Sequence, residues 1–309
     1  MGLFGSRPSR SQRPRFVPPS GLNTTPQVLV RSVPFVYDGG GQPAVNLTKV
    51  KSSASGSSGV SLVKGYQAAQ QALANFDLAG IRLEVLLLLD GSLSMKREYE
   101  AEIAQQLAVR TLGFCLNVDA DEQIPVIMYG ANISKPVVIT LENYQQAPQL
   151  LRPNFGSTPM TEALQAGMAM AARSDKLTMI VNITDGNPDN HVSMSNEVIK
   201  SSGHPVFIKN LAIKKVPYLV EIDDLPSRNE IRMDDAGQPI KDADDMLVLE
   251  VNPNGLRYVD NVDSQAIDPF KATDDEFGQA IAEEISTYIE VAGRVGLLTG
   301  VPGVDRTVF

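Results

Sequence analysis

Val85-Leu86-Leu87-Leu88-Leu89-Asp90-Gly91-Ser92-Leu93-Ser94 is the stretch that decides the fold. Its apolar run shows no alternation, which predicts a strand buried on both faces of a sheet. Asp90-Gly91 ends the run, so a carboxylate stands at the strand's carboxyl end, with the hydroxyls of Ser92 and Ser94 just beyond it. A second apolar run, Leu177 to Ile183, closes in the same way with Thr184-Asp185-Gly186, and Gly156-Ser157-Thr158 offers a further hydroxyl. In an open α/β sheet ligands bind in the crevice beyond the carboxyl ends of the strands, where Asp90 and Asp185 are both expected. Carboxylates and hydroxyls suit small hard cations better than thiols or imidazoles do, so the set predicts a divalent-cation site. Plainer roles compete with this one. Thr158 before Pro159 fits a helix N-cap, and Ser92, Ser94 and Asp185 fit turns.

In order along the chain, Asp90-x-Ser92-x-Ser94, then Thr158, then Asp185 resembles the von Willebrand factor A domain with its metal-ion-dependent adhesion site. The resemblance implies that Asp90, Ser92, Ser94, Thr158 and Asp185 hold Mg2+, or Mn2+ or Ca2+, with the two serines direct and some of the others bridged by water. It also implies a protein partner that donates an acidic residue to the ion. Leu93 departs from the pattern, since the family usually has Gly there. A closer likeness is to the tellurium-resistance, TerF-type branch, through Val60-Ser61-Leu62-Val63-Lys64, Asp121 to Tyr129, Asn143-Tyr144 and Asp260-Asn261-Val262. That branch implies a metal-dependent protein-binding module in a bacterial tellurite- or stress-resistance complex, or in a phage-related one. The alternative is a structural or assembly protein that uses the domain as a metal-independent scaffold.

Enzymatic readings find little support. Leu-Asp-Gly-Ser-Leu looks like the first motif of haloacid-dehalogenase phosphatases, but Leu88 stands where their nucleophilic Asp belongs. No glycine-rich phosphate loop occurs. Of the two histidines, His204 falls in a Gly-His-Pro turn and His191 reads as the start of a helix. Cys115, the single cysteine, sits in a helical apolar pattern and is expected buried and inert, with no disulfide and no zinc site. No apolar stretch is long enough for a membrane span and the N-terminus lacks a signal-peptide core, so the expected address is cytoplasmic.

Charge divides the chain. Residues 1–64 carry eight basic residues against Asp38, a surplus of seven, which leaves −16 on the remainder of a chain whose net charge is −9. An acidic body disfavours nonspecific nucleic-acid binding, whereas the basic tail suits an acidic surface, including the body itself. The expected organisation is a disordered basic tail over 1–25, an N-terminal extension with a Ser/Gly linker over 26–65, the A domain over 66–295, and a C-terminal tail over 296–309. The domain carries an acidic insertion near 218–250, with Asp235-Ala236-Gly237 as a turn. In the insertion Asp242, Asp244 and Asp245 read as a solvated hairpin rather than a second cation site.

The fold class is α/β: a doubly wound, mostly parallel central sheet with helices on both faces. Strands are expected over 82–89, 124–130, 136–140, 177–184 and 205–213, and helices over 66–76, 97–116, 159–173, 192–202 and 274–291. The last helix begins with a Thr273/Glu276 capping box and buries Phe277, Ile281, Ile285 and Tyr288.

Overall fold

The computed structural model describes residues 18–305. Six strands form its central sheet: β1 (Glu84–Asp90), β2 (Gln123–Tyr129), β3 (Val137–Thr140), β4 (Thr178–Thr184), β5 (Val206–Ala212) and β6 (Val262–Ala266). Their spatial order is β6-β5-β4-β1-β2-β3, parallel throughout except for the antiparallel edge pair β2–β3. The chain leaves β1 to one side and later returns to its other side as β4. The crevice beyond β1 and β4 is therefore the point where the winding reverses.

Two cores flank the sheet. The larger holds Leu87, Leu89, Val181 and Ile183 against the helices Gly56–Asn75, Ile103–Val118 and Asp274–Ala282. The smaller holds Leu86, Leu88, Ile180 and Ile208 against Met160–Ala171, His191–Ser201 and Pro217–Asp223. Close helix packing on the larger side depends on small residues. A Cβ on Gly113 would lie 2.7 Å from the Tyr66 nitrogen, and one on Gly278 would lie 2.9 Å from the Ala68 carbonyl carbon.

On the smaller-core face a row of polar side chains crosses four strands. The Tyr129 hydroxyl donates to Asn182 (2.7 Å), the Asn182 amide to Asn210 (2.9 Å) and the Asn210 amide to Ser264 (3.1 Å). Asn182 and Asn210 are direct register partners, as are Asn210 and Ser264. Each buried amide finds a partner on the neighbouring strand, as polar groups in a dry core require.

Several expected boundaries change. Residues 1–17 of the expected disordered tail lie outside the described residues, but 18–25, though exposed apart from Leu22, are anchored there: Leu22 is buried in the smaller core, and the Asn23 N–H donates to Asn196 Oδ1 (2.6 Å). The Ser/Gly linker is helical, because Leu47–Ser53 and Gly56–Asn75 occupy it and Gly59 lets the second helix approach Ala54 and Tyr144. The extension and the expected C-terminal tail are joined to the domain by pairing Val33–Pro34 with Leu298–Thr299, and Val36–Tyr37 pairs with Ile81–Arg82. The helices expected over 97–116 and 274–291 each break once, at Glu102 and Glu284, whose φ angles of 58° and 65° are left-handed and incompatible with a continuous helix. The Thr273/Glu276 capping box is present and the four stripe residues are buried.

The acidic segment builds a small sheet of its own. Ser227–Ile231 pairs antiparallel with Leu249–Val251 and parallel with Arg257–Val259. The Asp234 carbonyl accepts the Gly237 N–H at 3.0 Å, and Gly237 takes φ 76° in the turn, a conformation that favours glycine.

Candidate metal centre

The ends of β1 and β4 bring four of the five sequence-selected residues into one hydrogen-bonded run. Asp90 is fully buried, and its Oδ1 accepts the Ser92 N–H at 2.8 Å. The Ser92 and Ser94 hydroxyls lie 3.0 Å apart, and the Ser94 hydroxyl donates to Asp185 Oδ1 at 2.5 Å. Burial pushes the Asp90 carboxyl above its usual range against the hydrogen bonds from Thr184 and Ser92, and the negative charge of Asp185 adds to the rise. The same buried surroundings, and then Asp90, push the Tyr99 phenol upward.

Thr158, the fifth residue, stands at the rim. A Cβ on Gly186 would lie 3.9 Å from its hydroxyl oxygen, which places that hydroxyl beside the residue following Asp185. The helix that follows begins at Met160, so Thr158 is not its N-cap. Its backbone is fixed instead by Asp189, whose Oδ1 accepts the Thr158 N–H at 2.8 Å. Leu93 is 63% exposed, and its N–H donates to the Gly156 carbonyl at 3.0 Å, tying the two loops together. A side chain at this position is thus accommodated by pointing into solvent.

Two residues of the site were not selected from the sequence. The Thr184 hydroxyl donates to Asp90 Oδ2 at 2.6 Å and receives the Gly186 N–H at 3.1 Å, so it holds the buried carboxylate from the neighbouring strand. Lys214, two residues beyond β5, places Nζ 2.6 Å from Asp185 Oδ2. A positive charge at this end of the sheet is therefore already drawn to the carboxylate.

The donor set passes a chemical test for a small hard cation: every group from Asp90 to Asp185 offers oxygen, and the charge of Asp185 lies close enough to raise the proton affinity of Asp90. A second carboxylate group, Asp223, Asp263 and Glu284, brings oxygens within 4.8 Å of one another, but Asp263 is taken up by an ion pair with Lys209. In the acidic hairpin, Asp242 accepts the Asp244 and Met246 N–H groups at 3.0 Å each and pairs with Arg294 at 2.9 Å. Those bonds occupy the oxygens a cation would need. His191 stacks on Tyr218 with ring centroids 4.0 Å apart, at the first turn of its helix. Cys115 is buried, with its thiol pushed well up by burial. No helix among the described residues is long and apolar enough to cross a membrane.

The family described as vWA-TerF-like, a vWA domain found in the TerF C terminus, matches residues 82–247, more than half of the chain. Among solved structures, manganese-loaded TRAP protein of Plasmodium vivax is similar at 18% identity, covering 42% of this chain and 57% of that one, with a TM-score of 0.34. The pilus adhesin SpaC of Lactobacillus rhamnosus GG, in its open conformation, is similar at 15% identity over 42% of this chain and 24% of its own, with a TM-score of 0.33. The ArnB paralog VWA2 of Sulfolobus acidocaldarius is similar at 13% identity over 46% of this chain and 38% of its own, with a TM-score of 0.34. This chain thus spans less than two thirds of each of these structures. Comparison with curated proteins returns no match.

Proposed function

Because the chain belongs to the vWA-TerF-like family, we propose that it is a protein-binding module whose contact with its partner depends on a divalent cation held by Asp90, Ser92, Ser94, Thr158 and Asp185. The observation that carries this reading is the run of hard oxygens from Asp90 through Ser92 and Ser94 to Asp185 at the sheet's switch point. Mg2+ suits such a set, as do Mn2+ and Ca2+. When bound, the ion supplies a positive site that a partner's carboxylate recognises. The chain's own residues supply the rest. Thr184 and the Ser92 N–H fix the buried Asp90, Ser94 faces solvent, and Leu93 offers an apolar contact at the rim.

The reading is one of binding, not catalysis. His204 lies at the opposite end of the sheet, just before β5, and His191 is stacked on Tyr218. The setting that fits the family is a cytoplasmic complex of bacterial tellurite or stress resistance, or a phage-related one. The second reading, a metal-independent assembly scaffold, draws on Lys214, which gives Asp185 a cationic partner without any metal.

The deciding experiment is partner recovery from native extract, followed by titration, with Mg2+ and with chelator. Asp90→Ala and Thr158→Ala are expected to keep the circular dichroism of the wild type and to lose partner affinity by about two orders of magnitude, equivalent to a few kcal/mol. Undiminished affinity in chelator, or in folded Asp90→Ala, decides for the scaffold.

A further inference from the structure

Ser92, Met95 and Tyr99 follow one another at helical spacing through the two short turns Leu93–Met95 and Lys96–Glu100, so their side chains share one face. That face is turned inward: Ser92 is 2% exposed, Met95 is fully buried and Tyr99 is 6% exposed. At its head the Ser92 N–H holds Asp90. At its foot the Tyr99 ring meets the Phe155 ring edge to face, with centroids 6.0 Å apart, and Phe155 precedes the Gly156 whose carbonyl accepts the Leu93 N–H. Tyr99 is thus enclosed between the loop that carries Ser92 and Ser94 and the loop that carries Thr158.

The hydroxyl of Tyr99 has no hydrogen-bond partner among the described residues. An unmet donor away from water costs free energy, and phenylalanine would fill the same space without that cost. Burial first, and then the charge of Asp90, raise this phenol, so the group is a donor with its proton in place. Each Asp90 oxygen already takes one donor, from the Ser92 N–H and from the Thr184 hydroxyl, yet an ionised carboxylate has room for more. Tyr99 lies too deep to touch a macromolecular partner. A cation, by contrast, brings small polar company with it: Mg2+ dehydrates reluctantly and keeps several waters, whereas Ca2+ takes a larger and more flexible set of protein oxygens.

We propose that Tyr99 is a positioning residue of the ion site, its hydroxyl donating to water that a bound cation retains beside Asp90, and that it thereby favours Mg2+ over Ca2+. This rests on the cation reading given above and adds to it the group that sets the preference among ions. Groups that hydrogen-bond just outside a metal's ligands orient them and tune the affinity of the site.

The test is calorimetric titration of the full chain and of Tyr99→Phe with Mg2+ and with Ca2+, alongside thermal melting of both proteins in chelator. Phenylalanine keeps the ring and its contact with Phe155. Tyr99→Phe is expected to bind Mg2+ about ten- to a hundredfold more weakly, the usual effect of losing a hydrogen bond just outside the ligands. It is expected to lose less affinity for Ca2+ and to melt in chelator no lower than wild type. The chain has no tryptophan, so its near-ultraviolet difference spectrum on adding Mg2+ reports tyrosines, and the variant is expected to lack part of the wild-type signal. Equal Mg2+ affinity in the two proteins, an equal loss for both ions, or an unchanged difference spectrum overturns this inference alone. A variant that melts lower in chelator overturns it too, by showing that the hydroxyl is already partnered in the fold. Wild type that binds neither ion overturns the cation reading and this inference together.

Discussion

Lys214 reaches from a largely solvated position, its side chain 58% exposed, to a carboxylate that is only 5% exposed. An ammonium and a divalent ion drawn to the same Asp185 oppose one another, because each weakens the field the other needs. An ion pair with one exposed partner is worth up to about 1 kcal/mol, so Lys214→Met is expected to tighten Mg2+ binding by about two- to fivefold. Calorimetric titration at fixed ionic strength checks this, and an unchanged affinity would show that the ammonium does not compete. Asp90, Ser92, Ser94 and Asp185 were legible as a cluster because each follows closely on an apolar run that reads as a buried strand. Thr184 and Lys214 were hidden for opposite reasons: a β-branched residue in a strand reads as a strand former, and a lysine after a strand reads as solvated surface.

At the scale of elements, β6 shows where pattern reading fails. Val262-Asp263-Ser264-Gln265-Ala266 is too polar to be read as a buried strand, yet Asp263 and Gln265 are buried because Lys209 of β5 and Glu283 receive them. Burial pushes the Lys209 ammonium down to about 7, against the pull of Glu284, Glu283 and Asp223. Removing one member of such a pair leaves the other charge buried alone. Lys209→Met is therefore expected to cost about 3–5 kcal/mol in urea unfolding, and Lys209→Met/Asp263→Leu to recover most of it. A single variant as stable as the double would show that the pair is not coupled. The five other strands were legible from their apolar runs and turn residues. The two helix breaks were not, since Glu102 and Glu284 are good helix formers and their left-handed geometry comes from packing rather than propensity.

For the whole molecule, the termini are part of the fold. Two-residue strands such as Val33–Pro34 and Leu298–Thr299 carry no periodicity to read, so their pairing from opposite ends of the chain was invisible to pattern. Deleting 1–17 removes no contact among the described residues, whereas deleting 1–25 also removes Leu22 and the Asn23–Asn196 bond. The first deletion is expected to leave the melting temperature nearly unchanged, and the second to cost about 2–3 kcal/mol, or several degrees by calorimetry. The extension also bears on pH. Val30 binds the Gly203 carbonyl, and the adjacent His204 is held below its ordinary value by burial first, then by Lys200 and Arg31. The fold thus favours neutral imidazole. Its contribution is present above the unfolded value, about 6.5, and is lost as pH falls through the lower folded value. His204→Gln is expected to flatten the decline in urea stability between pH 7 and 5, and an unchanged slope would assign that decline to other groups.

The polar row from Tyr129 to Ser264 acts as an index mark for the sheet. Strands β1, β4 and β5 are buried on both faces, so sliding one past another by a residue would still cover its apolar side chains, and hydrophobicity alone does not choose the alignment. A slide of β4 by one residue, about 3.3 Å, would turn Asn182 into the opposite core without a partner and forfeit its bonds to Tyr129 and Asn210. Thr184 stands two residues above Asn182, as Asp90 does above Leu88, the register partner of Asn182. The amides in the dry interior therefore calibrate the height at which the two aspartates emerge, and any tolerance lost there would appear at the surface as carboxylates one step out of alignment.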